Sequence, residues 1–486
     1  IFFIYRIFIL SFIINYNLIK NLILYILILF ISIQNVMADE GMWMPNLIKI
    51  INENDMQEMG LKLSADDIYN INNSSLKDAV VALNGGGCTA EMISSEGLML
   101  TNHHCVDDII QGHSSIENNY YENGFWAMSK SEELKNESLS ATFLVSIEDV
   151  TNQFIDSLDI SLSESERSKL ISKISKQIVK EKTDSTTLSA RVRSFYGGNE
   201  FYLITYVTYR DVRLVGAPPA SIGKFGGDTD NWMWPRHTGD FSLLRVYMAP
   251  DGSPAEYSVD NIPYVPKHHL PIQLDGVENE DYTMIMGYPG RTNRFLTSYG
   301  VKEALEITYP EIIKIRTKKL EIMKKGMDSD KKTKLQYTAK YSRISNYWKY
   351  YIGQSKGLKR MRVYSKKLAI ENSFENWVNN GDSVRAKKYS GVLPELEKAY
   401  EKKKKNAFNR TYLTEAIFQG PEILSFSYTM KNRINALPKD KEKRTEGLRK
   451  LKKLAKEFYK DYNPAIDQEL LSAMLEMYYY NCLLYT

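Results

Sequence analysis

Apolar and polar residues alternate at a spacing of two in several stretches before residue 300, a pattern typical of half-buried β-strands. The clearest examples are residues 201–208 and 241–247. Turn-forming residues, among them Gly252 and Pro254, follow the second stretch. The pattern predicts a strand-rich region that extends to about residue 296.

The spacing of apolar residues becomes helical in two places. Residues 164–180 are predicted to form a helix, and Ser163 and Glu166 have the spacing of its capping box. The apolar face of this helix consists of Leu170, Ile171, Ile174 and Ile178. After Tyr299 the chain continues in long, Lys-rich helical segments. One of them has an apolar face made of Leu448, Leu451, Leu454, Ala455 and Phe458.

The first 38 residues are predicted to be a targeting segment. An apolar run at residues 22–33 precedes a cleavage site at residues 36–38, so we expect the mature chain to begin at Asp39. Export would place the protein where disulfides persist. Residues 1–19 are also apolar. They are either upstream sequence that does not belong to the protein or, together with residues 22–33, an uncleaved anchor. We favour cleavage because a run of about 12 residues is shorter than the ~20 that a membrane span needs.

Composition limits the possible function classes. The chain has 486 residues, 43% of them hydrophobic, which is enough for about three domains with sizeable cores. The net charge of +4 is nearly balanced, so we predict no nucleic-acid partner, because nucleic-acid binders carry a larger and more segregated basic surface. The lysine run at residues 402–405 is interpreted as a solvated helix face.

The segment from Cys88 to Cys105 contains an apolar run, a short polar turn and then Thr-x-x-His-Cys. It resembles the segment in which chymotrypsin-like barrels present their general-base histidine. The resemblance implies that His104 is this base and that a Cys88–Cys105 disulfide restrains it. Reduced core thiols and a metal site that includes His103 are the alternatives. We predict no metal, because zinc needs three or four ligands at recognisable spacings and none is evident.

Asp240 is predicted to be the carboxylate that fixes the histidine tautomer. It lies directly before the predicted strand at 241–247, where this barrel class keeps its acid. The separation from His104, 240 − 104 = 136 residues, is long for a bare barrel. The helix predicted at 164–180 accounts for the excess as an insertion.

Several long motifs point to one family. The longest is GGDTDNWMWPRHTGD at residues 226–240. The others are DEGMW at 39–43, NGGGCTAE at 84–91, IMGYPGRT at 285–292 and ISNYWK at 344–349. From residue 39 to about residue 480 the chain resembles serine peptidase family 46, the bacterial dipeptidyl peptidases 7 and 11. The resemblance implies a double barrel with an inserted helical domain, and release of dipeptides from the free amino terminus of peptides through an acyl-enzyme.

Carried over residue by residue, the resemblance makes His104 the base and Asp240 its orienting acid. It assigns Asn231, Trp232 and Asn346 to the substrate α-ammonium, which needs amide oxygens, carbonyls or an aromatic face to replace lost water. It implies no cofactor, oligopeptide substrates with a free amino terminus, and the periplasm or cell surface of a Gram-negative bacterium. It allows a homodimer, and it does not choose between hydrophobic and acidic residues before the cleaved bond.

The sequence contains no Gly-x-Ser-Gly segment for the nucleophile and its oxyanion turn. In the resembled family this serine lies downstream of residue 486, so we interpret the chain as a fragment that is inactive alone. Ser383 follows Gly381 and Asp382 as in trypsin-like enzymes, but Val384 replaces a glycine and we expect Ser383 to N-cap the next helix. Residues 482–486 are interpreted as non-native, and the alternative is a genuine free thiol or an intermolecular disulfide at Cys482.

The sequence therefore predicts an α+β protein with a chymotrypsin-like double β-barrel, the second barrel incomplete, and a large inserted helical domain. The predicted boundaries are 1–38 for the signal peptide and upstream apolar segment, 39–275 for the first barrel with a helical insertion near 155–185, 276–298 for the start of the second barrel, and 299–486 for the truncated helical domain. The predicted function is an exported serine dipeptidyl peptidase. The alternative is a non-catalytic peptide-binding relative that kept the amine site.

Overall fold

The computed structural model describes residues 42–115, 117–136, 139–159 and 161–482. The predicted signal segment and residues 483–486 lie outside this part of the chain. The chain divides into two units, residues 1–70 and 71–486. The described part of the first unit contains a 3-10 turn and three short helices, Pro45–Leu47, Ile48–Ile51, Glu53–Glu58 and Ala65–Ile68. No helix in the described ranges is long and apolar enough to cross a bilayer.

The second unit contains one antiparallel sheet, with eleven strands among the described residues. They are β1 (Val80–Leu83), β2 (Cys88–Met92), β3 (Leu98–Thr101), β4 (Phe125–Trp126), β5 (Leu134–Asn136), β6 (Ala141–Asp149), β7 (Ser189–Phe195), β8 (Glu200–Tyr209), β9 (Asp211–Ala217), β10 (Ser242–Met248) and β11 (Ile262–Pro263). Their spatial order is β4-β9-β10-β3-β2-β1-β6-β8-β7, with β5 on β9 and β11 on β10. The strands predicted at 201–208 and 241–247 are confirmed as β8 and β10.

Apolar side chains of the central strands form the core under the sheet. Val81, Met92, Met99 and Leu244 are fully buried on β1, β2, β3 and β10. Burial of each such side chain contributes roughly 1.5–3 kcal/mol. The turn between β1 and β2 includes Gly85 and Gly86 at φ +70° and +106°, where L side chains are rare. These glycines close the tight hairpin that sets Cys88 opposite Leu83.

The helices of six or more residues in the second unit are α1 (Asp107–His113), α2 (Glu164–Thr183), α3 (Ser298–Glu303), α4 (Tyr309–Ser329), α5 (Lys331–Arg360), α6 (Val363–Asn379), α7 (Ser383–Tyr389), α8 (Val392–Tyr412), α9 (Glu422–Asn435), α10 (Lys441–Lys460) and α11 (Pro464–Cys482). Two π-helical turns, Ala304–Thr308 and Leu413–Phe418, continue α3 and α8. Helical turns of four residues lie at Tyr120–Asn123, Asn152–Ile155, Ala220–Gly223 and Gly227–Asp230. The structure is thus mixed, with one large antiparallel sheet and many helices.

The predicted inserted helix is confirmed as α2. Its capping box between Ser163 and Glu166 is present, and Ile178 is buried against Phe201 and Leu203 of β8. The helix predicted around residues 448–458 is also confirmed, as α10.

The expected N-cap at Ser383 is wrong. The cap of α7 is Asp382, whose side chain accepts a hydrogen bond from the Arg385 backbone N–H at 2.8 Å. Aspartate caps as well as serine does, so the helix begins one residue earlier than expected.

The prediction of a strand-rich region up to about residue 296 is wrong beyond residue 263, because the last strand among the described residues is Ile262–Pro263 and residues 265–297 contain neither helix nor strand. The second barrel at 276–298 and the domain boundaries remain predictions.

Candidate active site

The pairing of β3 with β10 brings two distant parts of the sequence together. Thr101, the last residue of β3, is paired with Ser242, the first residue of β10. Because the strands are antiparallel, the chain leaves β3 and enters β10 at the same edge of the sheet. His104 follows β3 by three residues and Asp240 precedes β10 by two, so the two residues meet across 136 positions.

His104 and Asp240 make two hydrogen bonds. The His104 ring Nδ1 lies 2.8 Å from Asp240 Oδ2, and the His104 backbone N–H donates to Oδ1 at 3.0 Å. An ionised carboxylate can only accept, so Nδ1 carries the proton and Nε2 is left with its lone pair. The side chain of His104 is 61% exposed. The ring is therefore oriented as a general base whose accepting nitrogen a reactant can reach.

Asn102 donates to the same carboxylate oxygen that accepts from the His104 ring, and it was not predicted from the sequence. Its side-chain amide donates to the Asp240 backbone carbonyl at 3.1 Å and to Oδ2 at 3.3 Å. Asn102 lies directly between a strand and the His-His-Cys turn, and this position in the sequence could have identified it as a site residue. Asn102 thus restrains the acid independently of the histidine.

The pKa values of the pair move in opposite directions. The hydrogen bond to Asp240 raises the pKa of His104 above its ordinary value, against the effect of burial. Burial raises the pKa of Asp240, but the hydrogen bonds from the His104 ring and backbone outweigh it, and the net pKa lies below the ordinary value. An ionised Asp240 would stabilise an imidazolium at His104, which is the behaviour expected of the predicted base and acid.

Cys88 and Cys105 form the disulfide that the resemblance implied. Their Cα atoms are 6.1 Å apart, so the bond ties the start of β2 to the residue after His104. The two sulfurs and a ring nitrogen of His104 all lie within 4.8 Å of one another. Because both sulfurs are in the disulfide, neither is a thiolate that could ligate a metal there.

His103, the histidine next to His104, faces the interior. Its ring is fully buried, and Nε2 donates to the Pro218 carbonyl at 3.2 Å. Nδ1 lies 3.1 Å from a carboxylate oxygen of Asp107, whose other oxygen pairs with Lys224. This cluster of one buried and two half-buried side chains was not predicted, because residues 107 and 224 have no motif that links them.

Asn231, Trp232 and Asn346 lie together, although Asn346 is more than 110 positions from the other two. The Asn231 side-chain N–H donates to Asn346 Oδ1 at 2.9 Å. The Trp232 indole N–H donates to the same oxygen at 2.9 Å and to the Asn346 backbone carbonyl at 3.1 Å. The structure thus assembles the residues expected to bind an ammonium, and their role in binding remains a prediction.

The hydrogen bonds in this cluster leave one amide oxygen for a ligand. Asn346 Oδ1 accepts two bonds, which fills both of its lone-pair positions. Among the residues that the structure describes, Asn231 Oδ1 accepts from the Arg236 guanidinium alone, at 3.4 Å. Of the two amides, Asn231 therefore has the oxygen with more capacity to accept from the predicted ammonium, and Asn346 orients the Asn231 side chain.

No serine in the described ranges is hydrogen-bonded to the His104 ring. Ser383, the rejected candidate, begins α7. The described residues therefore bring the predicted base and its predicted acid together, and no serine among them contacts the ring.

Comparison with known proteins places the chain among peptidases. Residues 38–482 match the family Peptidase S46. The Asp/Glu-specific dipeptidyl-peptidase of Flavobacterium psychrophilum is 42% identical over 453 residues, 93% of this chain and 63% of that protein. Dipeptidyl-peptidase 7 of Capnocytophaga gingivalis is 40% identical over 444 residues, 91% of this chain and 61% of that protein.

A solved structure agrees with these sequence matches. Porphyromonas endodontalis DPP11 in complex with the dipeptide Arg-Glu superposes with a TM-score of 0.77 at 38% identity, covering 91% of this chain and 63% of that one. The chain therefore spans a little over six tenths of the length of the relatives described here.

Proposed function

Because the chain belongs to the Peptidase S46 family, we propose that the protein is a serine-type dipeptidyl peptidase that releases dipeptides from the free amino terminus of oligopeptides. The observation that carries this proposal is the 2.8 Å hydrogen bond from His104 Nδ1 to Asp240. It leaves Nε2 as an accessible base, and the relatives in this family are named dipeptidyl-peptidases.

In the proposed reaction His104 Nε2 removes the proton of a serine hydroxyl as its oxygen attacks the second peptide carbonyl of the substrate. Asp240 stabilises the imidazolium that forms. The imidazolium then protonates the leaving amine as the C–N bond breaks, which leaves an acyl-enzyme. Water, activated by the same nitrogen, cleaves the ester and releases the dipeptide.

We propose that the serine and its oxyanion turn belong to a part of the protein outside this sequence. Two observations support this. Within the described ranges no serine is hydrogen-bonded to His104, and the family relatives are longer than this chain.

The amine cluster supports an exopeptidase rather than an endopeptidase. An α-ammonium bound by Asn231 Oδ1 beside the Trp232 ring would fix the substrate terminus, and the scissile bond would then lie two residues further along. Peptide substrates are supported by the relatives, since Porphyromonas endodontalis DPP11 has been solved with Arg-Glu and with Arg-Asp. Relatives named Asp/Glu-specific dipeptidyl-peptidase and relatives named dipeptidyl-peptidase 7 both match this chain at about 40% identity. The proposal therefore covers the release of dipeptides in general and names no preferred residue before the cleaved bond.

We also propose a double-barrel architecture and an exported location for the protein. The sheet would be the first barrel of a double barrel, with residues 265–297 leading into the second. Three apolar side chains in this segment support this, because Leu274, Ile285 and Phe295 are at least 83% exposed and would be covered by a second barrel.

Export to the periplasm or cell surface is supported by the Cys88–Cys105 disulfide, since such bonds persist in oxidising compartments.

The test uses the full-length protein and a set of free-amino oligopeptides, with products identified by mass spectrometry. We expect successive dipeptides from the amino terminus, and no products from His104→Ala. Binding of the peptides without cleavage by the full-length protein would favour the alternative of a non-catalytic peptide-binding relative. Internal fragments in place of dipeptides would contradict the exopeptidase assignment.

A further inference from the structure

Asn346 lies on a helix whose opposite side is fastened to α4. Successive residues of a helix are rotated by about 100°, so Asn346 and Tyr350 share one face of α5. That face meets the amine cluster, where the Tyr350 ring lies 5.5 Å from the Trp232 ring, centroid to centroid. Trp348 and Tyr351 lie on the other face, and Tyr347 lies at its border with the first.

Side chains of α4 contact that other face at three points. The Trp348 indole N–H donates to Thr317 Oγ1 at 2.8 Å. The guanidinium carbon of Arg316 lies 5.6 Å from the Tyr347 ring centroid and 5.8 Å from that of Tyr351. These contacts fix the rotation of α5 about its own axis.

Arg316 is itself held by a buried carboxylate. Its Nε donates to Glu415 Oε2 at 2.9 Å and its Nη2 donates to Oε1 at 3.0 Å. The two residues are 8% and 5% exposed, and Glu415 belongs to the π-helical turn Leu413–Phe418. A bidentate pair of this kind fixes the plane of the guanidinium. Apolar side chains of similar volume usually serve stability as well as a buried ion pair does, so stability alone does not account for the pair.

We infer that Arg316, oriented by Glu415, is a positioning residue for the amine site, because it sets the rotation of α5 that directs Asn346 toward Asn231 and Trp232. The inference rests on the proposed function, since it assigns a further determinant to the same site. Neither Arg316 nor Glu415 touches the cluster directly. Their effect passes through Tyr347 and Tyr351.

The experiment compares Arg316→Met with wild type in the full-length protein. The readout is the ratio of kcat/KM for a free-amino peptide to kcat/KM for its N-acetylated form, measured well below the melting temperature of each variant. We expect the ratio to fall about tenfold to 10²-fold, because small displacements of a positioning group have effects of this size. We expect Arg316→Lys to recover only part of the loss, because an ammonium cannot form the bidentate fork.

A matched control separates positioning from general destabilisation. Arg213 on β9 forms an equally buried bidentate pair with Asp211, at 2.9 and 2.7 Å, and is not part of the helical region. Arg213→Met should lower the melting temperature and leave the ratio at its wild-type value. The inference would be overturned if Arg316→Met kept the wild-type ratio while its melting temperature fell as much as that of Arg213→Met.

Two further measurements also decide whether Arg316 positions the amine site. If Arg316→Met does not fold, Thr317→Val removes the acceptor of the Trp348 indole while keeping the volume. The ratio should then fall severalfold, and a wild-type ratio would overturn the inference. If the wild-type enzyme releases dipeptides but does not distinguish free from acetylated peptides, the amine site itself is wrong, and this inference fails with it.

Discussion

Thr101 and Ser242 face each other across β3 and β10, and this pairing determines that His104 lies beside Asp240. A slip of one residue would turn every side chain of β10 to the opposite face of the sheet. It would also move Asp240 away from the turn that carries His104. The geometry of the dyad is therefore a property of the sheet register, and the buried side chains of β3 and β10 maintain it.

The first prediction concerns Asn231. Asn231→Ala removes the amide oxygen that has one acceptor position left for an ammonium beside its bond from Arg236. Selectivity for free-amino over N-acetylated peptides should therefore fall by roughly 5- to 150-fold, the equivalent of ~1–3 kcal/mol. The measurement is kcat/KM for both peptides in the full-length protein. Asn199→Ala is the control, because this exposed amide bonds only within the β7–β8 turn. Equal selectivity in Asn231→Ala and wild type would remove Asn231 from the amine site.

The second prediction concerns the disulfide. It closes a loop of 17 residues, and a loop of this size typically contributes about 3 kcal/mol to the free energy of unfolding. Replacing both Cys88 and Cys105 by alanine should cost that amount in urea denaturation. In the presence of reductant the wild type and the variant should have nearly equal stability. Labelling of both thiols in the unreduced folded protein would show that the bond does not form.

The third prediction concerns pH. Lys319 is 2% exposed and donates to the Gln419 carbonyl, and burial lowers its pKa to about 8. In the unfolded chain it titrates near 10.4. Between pH 8 and about 10 the unfolded chain binds more protons, so this residue should raise the free energy of unfolding by up to about 1.4 kcal/mol per pH unit.

The measurement for Lys319 is urea denaturation at several pH values in that window. Because tyrosines also titrate toward its upper end, the quantity to follow is the difference between wild type and Lys319→Met. That difference should change with pH, whereas Lys318→Met, at the exposed neighbour that pairs with Glu321, should follow the wild type. Parallel curves for wild type and Lys319→Met would show that Lys319 remains protonated.

The fourth prediction concerns Gly223, which lies against the buried ring of His103. A Cβ at this position would overlap the imidazole, which is held by the Pro218 carbonyl. Gly223→Ala should therefore destabilise the protein by ~1–3 kcal/mol. Gly112 in α1 is the matched control, because a Cβ there meets nothing within 4 Å. Gly112→Ala should be neutral or stabilising by up to ~1 kcal/mol, and the same result for Gly223→Ala would contradict the close approach.

Local patterns predicted the parts of the fold that depend on near neighbours in sequence. The alternation at 201–208 and 241–247 and the capping box of Ser163 indicated elements that the structure contains. The cap at Asp382 was misplaced by one residue because aspartate and serine cap equally well, and sequence alone does not say which of two adjacent candidates adopts the extended backbone.

Within the candidate site, the motifs identified His104, Asp240 and the cysteine pair. Asn102, Asp107 and Lys224 were missed because their roles arise only when β3, α1 and the loop after β9 come together. The hydrogen-bond partners of Asn346 were not predictable either, since they depend on how α5 is rotated against α4. Most of the site residues that could not be predicted from the sequence are brought together by contacts between elements that are distant along the chain.

The most direct test of the central claim is dipeptide release by the full-length protein with Asp240→Asn. The account predicts that wild type releases dipeptides and that kcat falls by about 10⁴-fold in the variant, because the amide no longer holds the Nδ1–H tautomer or stabilises the imidazolium. The pKa of His104, measured by NMR titration of its ring, should fall as well, because Asp240 raises it. Wild-type kcat in Asp240→Asn, with an unchanged His104 pKa, would contradict the account.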